Sequence, residues 1–213
     1  MNNNTKDQLT LGIISTDNSF GFACRKNKNN EFDNFFVKKF ERDLCNNLIV
    51  DFANFFPKKN INQINKISVS IGPANFNASR LVVVLARTLS QQINCSLDSF
   101  SSFELMAKRI AIKNNIYVNK KKFWIFKKLK NRGYIAGKYE VRVSETLDKS
   151  LYIKELIIPR IYNSFTEKSA YEAEYNDLED LRELLTLSNK NFDNLKLDSW
   201  KNVIPLYTLS PIN

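Results

Sequence analysis

The stretch Gly-Pro-Ala-Asn-Phe-Asn-Ala-Ser-Arg, residues 72–80, follows the alternating run Ile67, Val69, Ile71 and leads into a long segment without helix breakers. A strand that turns through Gly72-Pro73 into a helix can hold a phosphate, because backbone amides and the helix dipole converge at such a turn. A second stretch, Asn119 to Tyr134, interleaves lysines with Phe123, Trp124 and Phe126, the mixture that contacts phosphates and stacks bases. In a strand, however, those aromatics divide between two faces and serve first as core, with lysines at the ends. The carboxylates Asp17, Asp98 and Glu104 are scattered. Asp17 lies in a turn, where Asp ordinarily bonds backbone, and Glu104 suits the first turn of a helix.

Histidine is absent from all 213 residues. That excludes Ser-His-Asp and Cys-His nucleophile systems, histidine general bases and histidine-bearing zinc sites. Three cysteines, Cys24, Cys45 and Cys95, lack metal-site spacing and read as reduced thiols, so no metal site is expected. The net charge of +10 favours an anionic partner, although abundant Asn, Lys and Ile also fit a biased base composition. The opening residues carry no signal-peptide pattern, and Leu81–Ala86 is far too short to span a bilayer. A cytoplasmic protein with no membrane association is expected.

The elements follow from periodicity. Leu9–Ser15 and Phe20–Arg25 flank a turn, and Phe32–Phe40 reads as a third strand. Leu44, Leu48, Phe52 and Phe55 recur at helical spacing before Pro57. In residues 79–93 the valines 82–84 favour a strand, but Leu81, Leu85 and Leu89 keep an i, i+4 register and Asn75 or Asn77 can cap. The spacing predicts a helix there. A strand at 95–101 and a helix capped by Ser101 or Ser102 come next. Three strands then precede an acidic stretch, 170–187, read as a solvated surface helix with Leu178, Leu181 and Leu185 on one face. The order predicts an α/β fold, a mixed sheet flanked by helices of the actin-like ATPase or ribonuclease H-like kind. Residues 1–111 form the expected N-terminal half (β-β-β-α-β-α) and 112–213 a smaller C-terminal subdomain.

The segment Ile67–Ala107 resembles the TsaB (YeaZ) family, a non-catalytic subunit of the bacterial machinery for threonylcarbamoyladenosine in tRNA. Gly72, Pro73, Phe76 and Arg80 match that family's Gly-Pro-Gly-Ser-Phe-Thr-Gly-x-Arg loop, and Ser102, Leu105, Met106 and Ala107 match a later helix. Residues 11–24, 123–139 and 203–212 resemble its opening hairpin, a second hairpin and its ending, and cyanobacterial-type members come closest. Ala74 and Ala78 stand where the family has glycines, Asn77 replaces a threonine hydroxyl, and Ile14 occupies the position of a metal-anchoring aspartate in related ATPases. A Cβ at 74 and 78 restricts close phosphate approach. The loop reads as a degenerate phosphate site whose helix start, placed at residue 79, still offers amides to an anion.

The resemblance implies a scaffold that binds and activates the catalytic subunit TsaD, with TsaE in a larger complex. No cofactor is expected on this chain; ATP and metal belong to the partner subunits. The helices 42–56 and 79–93 would meet TsaD through Leu44, Leu48, Phe52, Leu81, Leu85 and Leu89. Such a stripe ordinarily packs on its own sheet, and self-association through it is a further expectation. The alternative is a basic accessory protein touching tRNA, weakly or indirectly, through Lys120, Lys121, Lys122, Lys127, Lys128 and Arg132.

Overall fold

The computed structural model describes residues 9–26, 34–40, 44–116, 121–130, 132–143, 151–190 and 199–206. The chain divides into two compact units, Met1–Phe100 with Asp177–Pro205, and Ser101–Asn176 with Leu206–Asn213. This differs from a boundary near residue 111. The break falls directly after residue 100, and the acidic helix belongs with the first unit.

In the first unit, strands β1 (Leu9–Ser15), β2 (Ser19–Lys26), β3 (Asn34–Lys39), β4 (Ile64–Ser70) and β5 (Ser96–Phe100) form one sheet of order β3-β2-β1-β4-β5. β1, β2 and β3 run antiparallel, and β4 and β5 add in parallel. That mixed order, with helices on its faces, is the ribonuclease H-like arrangement. Alternation puts Leu11, Ile13, Phe22 and Phe36 on one face. There Phe22 and Phe36 meet Phe52 and Phe55 of helix α1 (Leu44–Phe55), with Phe22–Phe52 ring centroids 5.4 Å apart. Helix α2 (Phe76–Ile93) packs on β4 and β1.

The opposite face carries the small residues Gly12, Gly21, Ala23 and Ser68 beside Ile14 and Val37. The helical part of the acidic segment covers it. Residues Ala170–Glu172 form a short strand, β9, and the helix proper is α4, Asp177–Lys190. Leu181, Leu184 and Leu185 of α4 are fully buried against this face, whereas Leu178 is 45% exposed. α4 is therefore a structural layer of the sheet rather than a solvated surface helix. Its partner face lies more than 100 residues away in sequence, which composition of the helix alone does not reveal.

The second unit holds β6 (Lys122–Lys128), β7 (Tyr134–Val143), β8 (Leu151–Tyr162) and β9, in the order β8-β7-β6-β9. Helix α3 (Ser102–Lys113) closes one face over a core that includes Phe103, Met106, Ile110, Phe123, Ile125 and Tyr139. Ser101 caps α3, its Oγ accepting from the Glu104 amide at 3.0 Å. Gly133 turns the β6–β7 hairpin with φ +79°, and the β7–β8 register shifts beside Gly137.

Candidate functional site

The strand-to-helix turn after β4 is fixed from several sides. Gly72 has φ 99°, a conformation that suits glycine, and the Gly72–Pro73 peptide is cis. The helix starts at Phe76, three residues earlier than the sequence suggests, with Asn75 as N-cap. The Asn75 side-chain oxygen accepts from the amides of Asn77 at 3.1 Å and Ala78 at 3.2 Å. The Ser79 amide donates to the Asn75 carbonyl at 2.9 Å. These are the first-turn donors an anion would use. The helix start expected at residue 79 lies at Phe76, and there the Asn75 carboxamide occupies the amides of Asn77 and Ala78, so a phosphate would have to displace it.

The tip of β1 is tied to the same turn. The Asn75 amide donates to the Thr16 carbonyl at 3.2 Å, and the Ser15 amide to Ser70 Oγ at 3.0 Å. Ser79 Oγ donates to the Asn75 carbonyl at 3.0 Å, and Ser19 Oγ to Asp177 Oδ1 at 2.7 Å. A run of hydroxyls thus stands at the end of β1, bonded among themselves and to the backbone. Ile14 is 1% exposed, an aliphatic core residue that can neither ligate a cation nor activate water. Ala78 is fully buried, Ala74 is half-buried, and the Arg80 guanidinium lies 5.3 Å from the centroid of the half-buried Phe76 ring.

Three residues of the apolar stripe expected to meet a partner turn inward. Leu48, Phe52 and Leu85 are 2%, 6% and 8% exposed, so they belong to this unit's own core. Leu81 and Leu89 are half-buried, and the side chain of Leu44 lies outside the described residues. Among the described residues, the large apolar side chains these two helices expose most are Ile49, Val50 and Val84, each more than half exposed. Periodicity finds the stripe, and the sheet claims Leu48, Phe52 and Leu85 of it, while Ile49, Val50 and Val84 sit beside the stripe on the solvent side.

The basic hairpin also divides. Lys122 and Lys128 share a face of β6 with Trp124 and Phe126, while Lys127 points to the other side, its Nζ 5.3 Å from the Tyr175 ring centroid. Lys121 and Arg132 are exposed at the hairpin's flanks, and Lys120 lies outside the described residues. Cys95 is buried, and that burial pushes its thiol up to about 11, while Cys24 is half-buried. Among the described residues no helix is long and apolar enough to cross a membrane.

Neither a family model nor a curated protein matches the sequence. Solved structures do resemble the chain. An uncharacterised protein with similarity to peptidase YeaZ from Pseudomonas aeruginosa matches with a TM-score of 0.66 at 11% identity, over 95% of this chain and 100% of that one. YeaZ from Pseudomonas aeruginosa matches with a TM-score of 0.64 at 11% identity, over 94% and 99% of the two chains. The chain has the YeaZ-like fold, a mixed α/β architecture, over nearly its whole length.

Proposed function

We propose that this protein is a non-catalytic, TsaB-like subunit that binds TsaD and favours the state competent to transfer threonylcarbamoyl to the adenosine beside the tRNA anticodon. The observation that carries this reading is the occupied loop. A turn with the outline of a phosphate cradle has two of its amides, those of Asn77 and Ala78, engaged by Asn75, and an aliphatic Ile14 at the anchor position. A kinase or ATPase needs compliant loop amides and an acidic metal anchor. A chain that keeps the fold without those parts is suited to a task done by its surfaces. ATP and metal chemistry then fall to TsaD and TsaE, and this subunit acts by differential binding to one conformation of its partner.

The contact is assigned to the solvent side of α1 and α2, through Ile49, Val50 and Val84. The test is co-purification with TsaD from the same genome, comparing wild type with Val84→Asp. Val84 is 58% exposed, so the charge is tolerated in the isolated subunit. A stoichiometric complex with wild type and its loss with a normally folded Val84→Asp is the expected result. A wild type that ignores TsaD overturns the reading. Leu85→Asp would instead report on the core of the unit.

A further inference from the structure

The face of the second unit's sheet turned away from α3 carries a surface of its own. Its identity follows from register. Phe123, Ile125, Tyr139 and Val141 face the α3 core, so their strand neighbours Lys122, Trp124, Phe126 and Lys128 of β6 and Lys138, Glu140 and Arg142 of β7 face outward. Pairing extends the face onto β8, where Lys154 stands opposite Glu140, Tyr152 opposite Arg142 and Arg160 opposite Ala136. Six cations therefore share it: Lys122, Lys128, Lys138, Arg142, Lys154 and Arg160. Against them stand Glu140 and Glu172, the latter paired with Phe126 across β9.

The cations are held in place by what lies beneath them. Trp124, Phe126, Tyr134, Tyr162 and Phe165 form a connected ring cluster, with Trp124–Phe165 centroids 5.4 Å apart. The Lys138 Nζ sits 5.0 Å from the Trp124 centroid, and the Arg160 guanidinium 5.3 Å from that of Tyr162. Arg160 Nε also donates to the Tyr162 hydroxyl at 2.8 Å. Arg142 donates from Nε to Glu140 Oε2 at 2.7 Å, and Arg142 with Lys122 and Lys154 holds the Glu140 carboxyl below its ordinary value. Glu140 thus ion-pairs with Arg142 and stands opposite Lys122 and Lys154 in the strand register. Trp124 is only 7% exposed and serves as floor, while Phe126, Tyr134, Tyr152 and Tyr162 keep part of their rings at the surface.

We infer that this face binds a single-stranded nucleic acid. Charge complementarity selects a polyanion, and half-exposed rings among the cations select one that carries flat bases as well as phosphates. From Lys122 to Lys128 the face runs about 20 Å along the strand, room for several nucleotides. Sequence reasoning placed the basic surface on the hairpin alone. It missed Lys138, Arg142, Lys154 and Arg160, which only strand pairing brings beside Lys122 and Lys128. The inference stands independently of the TsaD reading, since it uses other residues in the other unit.

The test is fluorescence anisotropy of a labelled, unstructured 12-nucleotide RNA with the full chain. With three or four phosphates neutralised, affinity should fall roughly 20- to 50-fold between 50 and 200 mM salt. The variant Lys154→Glu/Arg160→Glu alters two exposed residues of β8 and should weaken binding at least tenfold with an unchanged far-UV spectrum. Lys58→Glu/Lys59→Glu makes the same change in charge on the first unit, at exposed positions, and should weaken binding less than threefold. Equal losses in both variants would assign binding to overall charge and overturn the inference. So would absence of RNA binding at 50 mM salt, or equal competition by polyglutamate of matched charge.

Discussion

The Lys66 ammonium, fully buried on β4, donates to the backbone carbonyl of Ser188 in the last turn of α4 at 2.7 Å. The same Nζ lies 2.7 Å from Asp98 Oδ2 on β5. A cation at a helix C-terminus meets the negative end of the helix dipole. One side chain therefore couples two neighbouring strands to the helix that covers them, and Ser68 Oγ adds a bond to Ser188 Oγ at 2.7 Å. Lys66→Met removes the cation and leaves a carbonyl and a carboxylate without it. The expected loss is about 3 kcal/mol in urea unfolding. The double variant Lys66→Met/Asp98→Leu, which removes both charges, should recover more than half of that loss. If the double variant is no better than the single one, the pair is not what Lys66 contributes.

The glycines under α4 make a sharper comparison. A Cβ at Gly21 would lie 3.0 Å from the Phe36 carbonyl oxygen and 3.0 Å from Leu181 Cδ1, with Val37 Cγ2 at 3.3 Å. A Cβ at Gly12 would meet the Leu184 and Leu185 methyls at 3.3 Å. Methyl groups at the ends of leucines can shift, whereas the Phe36 carbonyl is fixed in the β2–β3 ladder. Gly21→Ala is expected to cost about 1–3 kcal/mol, as overpacked sites do. Gly12→Ala should cost less than half as much, because the smaller clash is offset by reduced freedom of the unfolded chain. Chemical denaturation of the two variants side by side decides it; equal costs would mean that α4 simply rides outward for both.

Much of this architecture is legible from local pattern. Alternation marks β1, β2 and β4, and the i, i+4 leucines overrule the strand preference of Val82–Val84, because a continuous run of that length buries a helical face more easily than a strand. The cap at Asn75 is among the residues the sequence nominates. What local pattern lacks is the identity of the neighbour. Leu48, Phe52 and Leu85 form a stripe whether sheet or partner covers it, and the structure gives them to the sheet. Acidic residues around Leu181 and Leu185 suggest a solvated helix until Gly12 and Gly21, far away in the chain, are seen to make room for it. The basic face fails for the same reason. Lys154 and Arg160 join Lys122 through pairing across β7, and no spacing in the sequence encodes that register.

A buried acid in the second unit gives a pH dependence. Glu155 Oε1 accepts from Ser101 Oγ at 2.7 Å and from the Tyr139 hydroxyl at 3.0 Å. Burial raises the Glu155 carboxyl above its ordinary value, and the two donated bonds pull it back only in part. Burial, with the nearby Glu155 charge next, likewise pushes the Tyr139 phenol well up, so it remains a donor. A raised carboxyl binds its proton more tightly in the folded state than in the unfolded chain. Its contribution is therefore complete below the unfolded value of about 4.3 and is lost as pH rises through the higher folded value. Glu155→Gln keeps an oxygen acceptor for both hydroxyls and removes the charge. Relative to wild type it should gain stability as pH goes from 4 to 7, measured by urea unfolding at each pH. Glu155→Leu, which takes the acceptor from both hydroxyls, should cost about 1–3 kcal/mol across that range. A Glu155→Gln difference that stays flat with pH would mean that Glu155 titrates as it does in the unfolded chain.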